Sequence, residues 1–125
     1  MNRTAQLAIA YAAGRIAFGV ALTALPARVG AAWIGADARR QPPQVPIRGL
    51  GMRDVARGGG LVLAALRGDD MKPWLLGCVA SDVVDVGSIL AASDSVPGQA
   101  RIGTVAVASG SAIAGTTLTL AADGA

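Results

Sequence analysis

The chain has 125 residues, enough for one domain, and is 53% hydrophobic but only 15% charged, where an ordinary soluble domain carries roughly 25% charged residues. Aromatics are 3% of the chain, so Ala, Gly, Val and Leu supply the apolar mass, a composition suited to close-packed helices in lipid. The formal charge of +3 comes from arginines scattered among apolar segments, and the chain has no His or Glu; nucleic-acid binding has no basic stripe to rest on, and the commonest metal ligand and near-neutral proton carrier is missing.

Gln6–Ala24 reads as a first membrane span, apolar apart from Gln6, Arg15 and Thr23. A secretory signal peptide competes, with Arg3 as its basic region and small residues near Ala24–Ala27 as the cleavage site. Arg15 interrupts the middle of that apolar core, and the rest of the chain is equally hydrophobic, so a span is the better reading. Pro26–Ala38 is too short to cross, since a span needs about 20 apolar residues. Val29, Trp33 and Ile34 share one helical face, so we expect an interfacial helix lying along the membrane with Trp33 at headgroup level. Arg39–Pro46 is expected to be a loop, because Pro42, Pro43 and Pro46 oppose a helix.

The second span is expected at 47–66 and carries Arg53, Asp54 and Arg57, followed by Gly58–Gly60. Arg67–Lys72 is a polar turn, and Pro73 opens a third span at 74–92 with Trp74 as an anchor and Asp82 and Asp85 inside it. Ser93–Gln99 is a second turn, and 102–122 is a fourth span free of charge. Cys78 is alone, so it forms neither an internal disulfide nor a CxxC pair and reads as a small buried hydrophobe. The expected fold is therefore all-α: one domain, 1–125, a four-helix transmembrane bundle with a short interfacial helix after span 1. A soluble helical bundle is the competing fold. Arg28, Arg39, Arg40, Arg48 and Arg101 lie on one side, against Arg3, Arg67 and Lys72 on the other. The positive-inside rule then places both termini outside.

Charges are expensive in hydrocarbon, so Arg15, Arg53, Asp54, Arg57, Asp82 and Asp85 are the candidate site. Arg53 and Arg57 are four apart and share a face, as do Asp82 and Asp85, three apart. Arg57 lies ten residues before Arg67 and Asp82 ten beyond Lys72; at about 1.5 Å per residue both sit roughly 15 Å deep. Depth thus predicts the pairs Arg57–Asp82 and Arg53–Asp85, with Arg15 completing the set on Asp54. Such a network can serve only to fix helix register. It can also line a proton or cation path through Asp82 and Asp85, or place an acidic Asp beside an anion-holding Arg in an isomerase, cyclase or hydrolase. A neighbouring Arg favours the ionised carboxylate, which counts against acid catalysis. The glycine runs lack the Lys-Ser/Thr of a phosphate loop and read as tight helix packing or a local break in the span. Ala10–Gly14 and Gly110–Ala114 are small-xxx-small pairs that permit a homodimer or a larger membrane complex.

The stretch Arg48-Gly-Leu-Gly-Met-Arg-Asp54, with a Gly-rich span after it and Asp82 and Asp85 in the next, resembles a family of small uncharacterised four-helix integral membrane proteins of bacteria and fungi, a domain of unknown function. The likeness runs from span 1 to span 4, and Gly51–Asp54 is its most specific element. It implies a four-helix membrane fold, here expected in the bacterial inner (cytoplasmic) membrane, and implies no activity. Small multidrug transporters are similar in size but use a Glu in the first span, and quinone-linked disulfide enzymes need Cys pairs; neither feature is present. The functional expectation is a non-enzymatic accessory or hydrophobic-ligand-binding protein, without cofactor or metal, whose partners are membrane lipids and a lipophilic small molecule. A small proton- or cation-coupled transporter, or a membrane-embedded enzyme using Asp82 and Asp85 with Arg53 and Arg57, are the alternatives.

Overall fold

In the computed structural model the chain is all-helical, and residues 1–124 are described; Ala125, the last residue of the expected domain, lies outside them. The helices are α1 (Arg3–Ala24), α2 (Pro26–Ile34), α3 (Gln41–Arg67), α4 (Lys72–Ala91) and α5 (Gly98–Asp123), with a 3-10 turn at Ala36–Arg39. The Asn2 side chain caps α1 by accepting from the Ala5 amide at 2.8 Å. Pro26 then ends α1 and opens α2, where its missing N–H costs nothing. Gly35 and Gly68 take positive φ, 87° and 73°, and so stop α2 and α3.

The prolines of the expected loop behave differently from the sequence reading. Pro42 and Pro43 occupy the first turn of α3, where backbone N–H groups have no helical acceptor to lose. Only Pro46 sits inside the helix, and α3 continues through it. Residues 41–46 are therefore the start of a longer helix rather than a loop. By length and composition α1, α4 and α5 are able to cross a membrane. α3 is the longest helix, but Arg48, Arg53, Asp54 and Arg57 dilute its apolar character. The short helix expected after the first span is present as α2, but Trp33 has a protein partner: its indole N–H donates to Thr104 Oγ1 at 2.6 Å, tying α2 to α5.

Glycine decides how the long helices approach. α1 runs antiparallel to α3, and a Cβ on Gly19 would collide with the Gly51 carbonyl oxygen. One turn pair further along, a Cβ on Gly58 would lie 2.7 Å from Ile16 Cγ1 and 3.0 Å from the Ala12 carbonyl oxygen. Backbones this close gain dispersion and weak Cα–H···O contacts that larger residues would forbid. Gly60 makes room for the Trp74 ring in the same way, and Gly115 for Tyr11. α4 packs along α5, and Lys72 pairs with Asp123, fixing the start of α4 beside the end of α5.

Two apolar clusters result. Ala8, Ala12, Leu61, Leu75 and Leu118 form one, at the end that holds the α3–α4 turn. Leu22, Ala38 and Ile47, flanked by Val29, Ile34 and Leu50, form the other, beneath α2. The charged layer lies between them.

Candidate functional site: an arginine–aspartate layer under an apolar cavity

The charged layer is built from the midpoints of the long helices. Asp54 is thirteen residues from either end of α3, and Asp82 lies ten residues into the 20-residue α4. Arg15 and Ser111 hold matching positions on α1 and α5. At about 1.5 Å per residue, each is roughly 13–20 Å from a helix end, the depth of a bilayer midplane.

Arg15 is the hub, and it is only 8% exposed. Its Nη2 donates to Asp54 Oδ1 at 2.8 Å, and its Nη1 donates to Asp82 Oδ2 at 2.8 Å and reaches Oδ1 at 3.0 Å. Ser111 Oγ accepts from the same Nη1 at 2.8 Å. Tyr11, one turn before Arg15 on α1, lies 3.2 Å from Nη1 through its hydroxyl and donates to Ser111, bridging α1 to α5. Ser81 Oγ sits 3.4 Å from Nη2 and donates to the Cys78 carbonyl. Arg15 Nε is buried with no hydrogen-bond partner among the described residues. One guanidinium therefore spans two carboxylates on two helices, a task that its planar fork performs and an ammonium does not.

A second pair flanks the hub. Arg53 engages Asp85 with both ends of its fork, Nη2 to Oδ2 at 2.8 Å and Nη1 to Oδ1 at 3.3 Å. Both side chains are about a quarter exposed, 27% and 24%. Arg53 Nε also lies 3.9 Å from Asp54 Oδ1, which links the two pairs.

Five of the six sequence-predicted residues, Arg15, Arg53, Asp54, Asp82 and Asp85, are thus joined in one layer, but not all in the expected couples. Arg53–Asp85 and Arg15–Asp54 form as the depths require. Arg57–Asp82 does not: Asp82 is taken by Arg15. Arg57 makes no salt bridge among the described residues, and its Nη1 is buried without a hydrogen-bond partner. Its Nε is the nearest side-chain atom to Gly77, more than one helical turn before Asp82. The reason is azimuth. The glycine contacts draw α1, with Arg15, into the space that Asp82 faces, while Arg57 packs on the Gly77 side of α4.

Above the layer lies a cavity of about 550 Å³, within the usual range of small-molecule sites. Its floor includes Arg15, Asp54, Asp82 and Asp85; its walls are largely apolar, from α1, α2 and α5. Trp33 and Thr104 line it, as do Phe18 of α1 and Val107 of α5, which are 42% and 66% exposed. The cavity therefore opens sideways between α1 and α5. Sequence reasoning missed Tyr11, Ser81, Thr104 and Ser111. Tyr11 had a signal, being four residues before Arg15 on one helical face; nothing distinguished Ser111 from the other small residues of α5. Among the described residues no group of His, Cys, Asp or Glu is arranged to hold a metal ion. No protein-family model, curated protein or solved structure matches the chain.

Proposed function

We propose that this protein is a small four-span integral membrane protein, a member of the small four-helix family that its Gly51–Asp54 motif resembles, and that it binds a hydrophobic small molecule without transforming it. α3 serves as the fourth span, its Arg53 and Asp54 turned inward to the layer described above rather than to lipid. α2 closes one end of the ligand cavity. The observation that carries the reading is the conjunction of an apolar cavity and a floor whose three aspartates, Asp54, Asp82 and Asp85, are all engaged by arginines. With every floor aspartate already accepting from an arginine, no carboxyl is left free to face a substrate as a general acid. The apolar walls and the sideways opening suit a molecule that arrives dissolved in the bilayer.

The test is native mass spectrometry of the detergent-solubilised protein beside a cavity-filling variant, Gly103→Leu. Gly103 lines the cavity, and a Cβ there meets nothing within 4 Å, so the added side chain enters the cavity without displacing a helix. A discrete small molecule is expected on the wild type and absent from the variant, with helicity and elution volume unchanged. A wild type that carries only bulk lipid, or a ligand retained by Gly103→Leu, would refute ligand binding at this site.

A further inference from the structure

The cavity has a charge preference, and we infer that its ligand is a lipophilic organic cation: a compact ammonium, amidinium or phosphonium centre on an apolar body. This rests on the ligand-binding reading above and adds the chemical class.

Three observations converge. First, the ion-paired cluster is acidic. It contains the carboxylates of Asp54, Asp82 and Asp85 but only the guanidinium groups of Arg15 and Arg53, leaving one carboxylate in excess. Arg57 offsets that charge within the bundle but does not line the cavity, which faces Asp54, Asp82 and Asp85 against Arg15 alone. An acidic lining on an otherwise apolar cavity favours a cationic head.

Second, the cavity offers little to an anion: the one unused donor of Arg15, its Nε, is buried. Arg15 is its only lining cation, and both terminal nitrogens already donate to carboxylates at 2.8 Å. The carboxylates keep spare acceptor capacity, as each oxygen has two lone pairs and Asp54 receives its Arg15 contact through Oδ1 alone.

Third, the aromatic residues gather here. The chain has two Trp, one Tyr and one Phe, and Tyr11, Phe18 and Trp33 all line this cavity. In a chain so poor in aromatics the concentration is specific to the site. Aromatic faces attract organic cations, most strongly where water is excluded. Carboxylates on the floor and rings on the walls are complementary to one ligand type: a positive centre that turns its head to the Asp85 side and leaves its body against α5. The opening between Phe18 and Val107 admits such a molecule from the bilayer.

The experiment uses the full chain in zwitterionic lipid nanodiscs, with Trp74→Phe leaving Trp33 as the only tryptophan and excitation at a wavelength that Tyr11 does not absorb. Three probes share one tail and differ in head charge: decyltrimethylammonium, decyl sulfate and decanol. Empty nanodiscs correct for partitioning. Decyltrimethylammonium is expected to saturate the Trp33 signal at least about tenfold more tightly than decanol, with decyl sulfate weakest, as a single nearby charge contact readily supplies. Two variants shift this preference in opposite directions. Asp85→Asn removes a floor charge and lowers it; Arg53→Gln frees Asp85 and raises it. Both sites are partly exposed, so neither change empties the buried hub. Decanol or decyl sulfate saturating as tightly as the cation would overturn the cation assignment while leaving hydrophobic-ligand binding intact. Saturation by none of the three would overturn both. A cation preference indifferent to Asp85→Asn and Arg53→Gln would also sink the assignment, because the floor carboxylates would not be its source.

Discussion

Replacing Arg15 by Leu tests the central structural claim, that one guanidinium holds the bundle's midpoints together. The side chain is 8% exposed and contacts Asp54 and Asp82 at 2.8 Å each. Breaking one buried pair by deleting a partner costs about 3–5 kcal/mol, because the remaining charge is stranded. Here two carboxylates on two helices are stranded by one substitution, so we expect the upper end, about 5 kcal/mol. The same reasoning predicts a rescue. The triple variant Arg15→Leu, Asp54→Asn, Asp82→Asn removes the stranded charges and should recover most of the loss, as apolar or neutral replacement of a whole buried network often does. Arg15→Lys should fall between, since an ammonium retains the charge but cannot fork between two carboxylates. Reversible unfolding in bicelles gives the free energies, and far-ultraviolet circular dichroism checks that helicity survives. An Arg15→Leu variant within about 1 kcal/mol of wild type, the range of a surface pair, would refute the reasoning. So would a triple variant no more stable than the single one.

The remaining predictions concern the edges of this arrangement. Arg53→Gln should cost about 1 kcal/mol, because its pair with Asp85 is partly exposed; Arg57→Gln removes a guanidinium whose buried Nη1 has no partner among the described residues, and should leave stability unchanged or raise it by about 1 kcal/mol in the same assay. Gly58→Val should destabilise by about 1–3 kcal/mol, since its Cβ would press on Ile16 and the Ala12 carbonyl. Gly59→Ala, whose Cβ meets open space, should instead gain about 0.5–1 kcal/mol from helix propensity; equal effects at the two glycines would argue against the α1–α3 contact. Trp33→Phe should lose about 1 kcal/mol with its hydrogen bond to Thr104 and speed amide exchange in α2 ahead of the long helices.

Much of this protein was determined by local sequence. Apolar runs broken by Gly68 and by the turn before Pro97 are enough to specify long helices and their order, because helix formation and the length and hydropathy needed to cross a membrane depend on segments rather than on partners. The depth of each charge follows from counting residues at a fixed rise, which is why Arg15 reaches Asp54 and why Arg53 meets Asp85. Two features lay beyond that reach. The prolines at 42–46 read as a loop because their cost depends on position within a helix, and the first turn of α3 tolerates what its interior would not. The choice of Arg15 over Arg57 as the partner of Asp82 depends on azimuth, and azimuth is set by which helices lie closest. Gly19, Gly51 and Gly58 set it by letting α1 close on α3, a contact that has no signature in residue spacing along either helix. The cavity is the complement of the same event. Where α1 and α3 draw together and α4 packs on α5, a gap opens between α1 and α5 beyond Tyr11 and Ser111, and only the folded chain brings an aspartate floor and three aromatic rings around it.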